Sequence, residues 1–160
     1  MSSPKTGYVA FFRVRFGECD PLGHVNNSVY LTYLEQTAID HAAALGWSSA
    51  ELQEEAGAVF VARKHEIEYL QPAREGEWLR VVTWPAEMSG ARGNRHYEIG
   101  RVTNEEPASM VDRVLQPDEI VPMPRAELIV RAKTEWAFMN VTTGRPTRIP
   151  PVVVRDFLET

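Results

Sequence analysis

The residues best suited to chemistry stand together in Asp20-Pro21-Leu22-Gly23-His24-Val25-Asn26-Asn27-Ser28-Val29-Tyr30. Asp20 supplies a carboxylate just ahead of a segment that reads as a helix. The first N–H groups of a helix lack an intrahelical acceptor and favour negative charge. A carboxylate beside such an end suits a general base or a nucleophile. Each neighbour also has a plainer role. An Asp before Pro serves turns, and Asn26 and Asn27 are good turn and capping residues. His24 can orient Asp20, touch a substrate, or bond to backbone. Cys19 adjoins Asp20, but only His24 offers to activate its thiol. Glu35 lies within an apolar helix and needs a partner if buried. Tyr30 and Tyr33 read as core or pocket wall.

These residues need elements to hold them. Val9 to Phe16 is aromatic and β-branched, and reads as a strand. Ser28 to Leu45 has neither Pro nor Gly and reads as a helix, capped by Asn27 or Ser28 and ended by Gly46. Its apolar residues nearly encircle it, which predicts burial on most sides. A link at Trp47 to Gly57 leads to strands at Val59–Tyr69, Glu77–Glu87, Arg95–Thr103 and Leu128–Val141. In the first of these, Val59, Val61, Arg63, His65, Ile67 and Tyr69 share one face. In the last, Leu128, Val130, Ala132, Thr134, Trp136 and Phe138 do. Residues 104–127 form an insertion rich in Pro, read either as an active-site cover or as a disordered loop. One helix before a run of strands is an α+β arrangement in one domain spanning residues 1–160. A curved antiparallel sheet wrapped around the helix accounts for both patterns, and its open edges favour pairing with a second copy.

The pattern Asp20-x-x-Gly23-His24-Val25-Asn26-Asn27-x-x-Tyr30 resembles the signature of hotdog-fold acyl-CoA thioesterases, of the 4-hydroxybenzoyl-CoA thioesterase type. Phe16-Gly17-Glu18-Cys19 and Pro21 add to the likeness. It extends more weakly through Ile67-Glu68-Tyr69-Leu70-Gln71-Pro72-Ala73 and Thr143-Gly144-Arg145-Pro146. The resemblance implies a hotdog fold and hydrolysis of an acyl- or aryl-CoA thioester without a cofactor. It gives Asp20 the carboxylate role, as nucleophile or as base on water, and the Asn27 amide the role of polarising the carbonyl. His24 joins them as a catalytic candidate, and Tyr30 as a substrate-binding one. It also implies active sites at an interface in a homodimer or homotetramer. The basic cluster that serves coenzyme A in the 4-hydroxybenzoyl enzyme is mostly lost here, leaving Arg92 and Arg95 as candidates for the phosphates. An acyl carrier protein is an alternative donor of the thioester.

Composition narrows the rest. A net charge of -5 disfavours nucleic acid as a partner. Four histidines and one cysteine show no paired spacing for a metal. There is no Gly-x-Ser-x-Gly elbow and no Gly-rich phosphate loop. A single cysteine fits a reducing, cytoplasmic setting. Met1 to Tyr8 carries no signal-like apolar run, and no segment reaches membrane-spanning length. A non-catalytic module that binds acyl-CoA is the alternative function, and a hotdog dehydratase ranks third.

Overall fold

The computed structural model describes residues 3–159. Met1, Ser2 and Thr160 lie outside the described residues, and with them the first two residues of the expectation for Met1 to Tyr8. Six antiparallel strands form one sheet: β1 (Gly7–Arg13), β2 (Ala58–Tyr69), β3 (Trp78–Ser89), β4 (Arg92–Arg101), β5 (Arg113–Leu115) and β6 (Leu128–Asn140). Their spatial order is β2-β6-β4-β3-β1-β5. Helix α1 (Asn27–Ala44) lies on the inner face of the sheet, α2 (Ser49–Ala56) follows it, and α3 (Pro151–Leu158) closes the chain. No helix is long and apolar enough to cross a membrane among the described residues.

Helix α1 is capped one residue before Asn27 and two before Ser28, the expected caps. Asn26 is the N-cap, and its Oδ1 accepts from the backbone N of Ser28 at 3.1 Å. Gly46, at φ 86°, takes the left-handed position just past the C-terminus. The burial differs from expectation. Tyr30, Tyr33, Leu34, Thr37, Ala38 and His41 are buried, whereas Glu35, Gln36, Ile39 and Ala43 are exposed. Ile39 keeps 54% of its surface open. The curved sheet wraps one side of α1, so the burial expected on most sides of the helix is found on one.

The main core lies between that face and the sheet, with Leu34, Leu79, Val81, Tyr97, Ile99 and Val130 at its centre. A second cluster joins Leu52 of α2, Phe138 of β6, and Val153 and Phe157 of α3. Strand β2 serves both clusters through an irregularity between Ala62 and Lys64, where its register against β6 slips. Phe60 packs on the second cluster and Ile67 on the first. These residues differ by an odd number, so strict alternation would set them on opposite faces. The extra residue in the ladder re-phases the strand. The expectation that Val61 and Ile67 share a face is thus corrected: Val61 is exposed. A similar slip between Ile99 and Gly100 turns Leu128 outward while Val130 stays inward.

Residues 104–127 are folded. They carry β5, which pairs with β1, and they seat Leu115 and Met123 against Val9, Val82 and Leu128. Val9 and Val82 alternate with Ala10 and Val81, so this cluster lies on the sheet face away from α1. The amide of Phe11 donates to Asp112 Oδ1 at 2.9 Å and ties the segment to β1. Helix α3 adds an element beyond the expected strands. Its apolar run follows Pro150 and Pro151, and Val153 and Phe157 become its buried side.

Candidate active site

The loop between β1 and α1 is a tight hairpin. The amide of Asn26 donates to the Glu18 carbonyl at 2.9 Å, and that of Asp20 donates to the His24 carbonyl at 2.7 Å. Cys19 and Val25 pair between them. Gly23 closes the turn at φ 79°, a conformation that side chains resist. The hairpin is anchored to the 70–77 loop, where the Val25 amide donates to the Ala73 carbonyl at 2.9 Å and His24 bridges Arg74.

Asp20 is half-buried. Its Oδ1 accepts from the amides of Leu22 at 2.9 Å and His24 at 3.1 Å. These bonds fix the carboxylate's direction, and no hydrogen bond to Oδ2 is present among the described residues. Asn27, the first residue of α1, is exposed, and its N–H has no acceptor among the described residues. The Asn27 carbonyl accepts from the Tyr69 hydroxyl at 3.2 Å, which steadies the helix start. Asp20 stands two ladder steps from the Glu18–Asn26 pair, about 7 Å along the strand direction. The hairpin thus brings together a directed carboxylate, His24 and an open helix-terminal N–H. The His24 ring makes no hydrogen bond among the described residues.

Other expected residues fall elsewhere. Tyr30 is 2% exposed, and its hydroxyl accepts from the Ala73 amide at 3.1 Å. It is a strut between α1 and the 70–77 loop rather than a pocket wall. Tyr33 is also buried, and its hydroxyl makes no hydrogen bond among the described residues; burial, with Glu18 nearby, raises its pKa. Burial also raises the Cys19 thiol, as do the carboxylates of Glu75, Asp20 and Glu18. That setting opposes a thiolate nucleophile. Glu35 is exposed, not deep, and its Oε1 lies 3.9 Å from His65 Nε2.

Arg92 and Arg95 part company. Arg92 is exposed at the start of β4, beside Arg63 and Glu135. Arg95 points inward and is 5% exposed, so it is withdrawn as a surface phosphate ligand. Positions three apart on a strand face opposite ways. Sequence reasoning did not find the partner of Arg95, which is His41 on α1. Arg95 Nη1 lies 2.8 Å from His41 Nδ1. His41 Nε2 lies 3.2 Å from Thr6 Oγ1, and Tyr8 stacks on the ring. No group of three or more His, Cys, Asp or Glu could hold a metal among the described residues.

A family model described as the thioesterase-like superfamily matches residues 14–157. The chain belongs to that superfamily. Its fold is the hotdog fold that the Asp20–Tyr30 signature implied. The 1,4-dihydroxy-2-naphthoyl-CoA thioesterase from Synechocystis superposes with a TM-score of 0.72 at 15% identity, covering 94% of this chain and 95% of that one. A DHNA-CoA thioesterase from Staphylococcus aureus gives 0.67 at 22% identity, with 88% and 80% covered. A thioesterase from Thermus thermophilus, complexed with coenzyme A and Zn, gives 0.68 at 21% identity, with 94% and 90% covered. At these identities the likeness is one of fold. No curated protein matches the sequence.

Proposed function

We propose that this member of the thioesterase-like superfamily hydrolyses an acyl- or aryl-thioester of coenzyme A, with Asp20 as its working carboxylate. The observation that carries the reading is the hairpin that aims Asp20 and ends at the unpaired Asn27 N–H. Hydrolysis needs a base or nucleophile and a donor for the charge that grows on the carbonyl oxygen. Asp20 supplies the first, attacking the carbonyl carbon or taking a proton from water. The Asn27 amide supplies the second, helped by the helix dipole. His24 borders both and shapes the approach. Structural neighbours named as CoA thioesterases, among them those from Synechocystis and Staphylococcus aureus, support this choice of chemistry.

In one subunit the site is open to solvent, and the apolar pocket lined by Ala38, Ile39 and Ala42 lies toward the far end of α1. Fifteen residues separate Asn27 from Ala42, about 22 Å along the axis. A second copy, paired along β2, would lay its exposed α1 face beside this one and wall the site. We therefore read the protein as a homodimer, or a tetramer of such pairs. Arg92 is the remaining basic candidate for the coenzyme A phosphates, and an acyl carrier protein is the alternative donor. A cytoplasmic location fits a CoA ester as substrate.

The test is thiol release from a panel of acyl- and aryl-CoA esters, with Asp20→Asn alongside. Release that depends on Asp20 supports the hydrolase. Binding of an acyl-CoA with no release by the wild type would replace it with the ligand-binding module.

A further inference from the structure

Arg95 is a buried cation with no carboxylate beside it. It is 5% exposed, and no acidic group lies within ion-pair distance of it among the described residues. Its Nη1 is shared between His41 Nδ1 at 2.8 Å and Thr83 Oγ1 at 3.4 Å. Burial, then the nearby guanidinium, pulls His41 down to about 2, so the ring is neutral and its Nδ1 accepts. Burial lowers Arg95 only to about 10, so the guanidinium stays charged at neutral pH. The ring of Phe157, 5.8 Å away, offers its face to that charge. Neither His41 nor Phe157 carries a compensating negative charge. The Nε and Nη2 groups make no hydrogen bond among the described residues. Burying a charge with unfilled donors is costly, and proteins normally pair it.

The same guanidinium borders a pocket of about 90 Å³, whose other walls include Ala42, Trp47, Leu52, Phe60, Met88 and Phe157. An apolar cavity of about 150 Å³ holds a benzene molecule, so this one takes a shorter body, with the remainder leaving by the mouth. That mouth opens beside Ile39 and Ser49, both exposed. The pocket is lined mostly by apolar side chains, and Arg95 is the one cationic residue in its lining among the described residues. Guanidinium groups bind carboxylates by two parallel N–H···O bonds, and here Nε and Nη2 form the open pair. We propose that this pocket binds the carboxylate of a small apolar acid, held by Arg95, at a place separate from Asp20. The acid is a free one, since a short acyl chain held at Asp20 does not reach a pocket about 22 Å along α1 from Asn27.

The binding test reads no turnover and so stands apart from the role of Asp20. The full-length protein is titrated calorimetrically with hexanoate and, as its neutral match, hexanol. Hexanoate is expected to bind at least about tenfold more tightly, since a charge-assisted bond is worth more than a neutral one. Arg95→Met keeps an unbranched apolar stem and removes the fork, and it should abolish the preference. Ala42→Leu narrows the pocket without touching Arg95, and should weaken hexanoate by about tenfold or more at an unchanged melting temperature. If Arg95→Met does not fold, Ala42→Leu and the hexanol comparison decide. Equal binding of acid and alcohol overturns the proposal, as does hexanoate binding that survives the substitutions.

Discussion

Asp20 and His24 grip each other across the hairpin: the Asp20 amide donates to the His24 carbonyl at 2.7 Å, and the His24 amide donates to Asp20 Oδ1 at 3.1 Å. The carboxylate is therefore held by backbone, not by a side chain that rotates away. Asn at position 20 keeps the Oδ1 acceptor and so keeps the turn, while it loses the charge. Asp20→Asn is expected to lower kcat/KM for the best thioester by about 10²–10⁴-fold with the melting temperature unchanged. A thiol-release assay and a thermal melt, run on the same preparation, check both halves.

Tyr30→Phe leaves the Ala73 amide buried without its acceptor. The expected cost is about 1–3 kcal/mol of stability, visible as a lower urea midpoint. The change also loosens the 70–77 loop that anchors the hairpin, so turnover should fall modestly. An unchanged urea midpoint would show that Tyr30 is no strut.

His41 sets the response to acid. Its pKa in the folded chain is about 2, against an ordinary value of 6.5. The unfolded chain therefore binds the extra proton between those values, and the folded chain does not. Stability present above pH 6.5 is lost as pH falls through that window. Between pH 6.5 and about pH 5 the loss is up to about 2 kcal/mol, or roughly 4–8 °C in Tm. Melts across that range in wild type and His41→Gln should show a steeper fall in the wild type.

The inserted segment is a support for the outer face. Leu115 is 5% exposed and packs among Val9, Val82 and Met123. Leu115→Ala should cost about 2–4 kcal/mol and leave the selectivity among thioesters unchanged, because the cluster lies behind the sheet from α1. A change in the panel's ranking without loss of stability would return the segment to the role of a cover.

What the sequence reveals here is what is local. The Asp20–Tyr30 hairpin and the start of α1 are read from adjacent residues with strong turn and cap chemistry, and the family signature falls in the same stretch. The partnership of Arg95 with His41 is invisible, because it requires the register that sets β4 beside β3 under α1. The slip at Ala62/Lys64 defeats a two-residue period, since one extra residue exchanges the faces of everything beyond it. The exposed side of α1 misled for a different reason. Apolar residues such as Ile39 predict burial, and only a second surface can provide it.

The order β2-β6-β4-β3-β1-β5 leaves two unlike borders. On one side β5 has three residues, between turns that begin at Pro107 and Pro117. A foreign strand finds little ladder there to extend. On the other side β2 offers a border twelve residues long. Growth by strand addition thus has a single usable port, and a two-fold contact between like ports consumes both. The small β5 acts as a terminator: it closes one border of the sheet to strand addition and leaves β2 as the border where a second copy would have to pair.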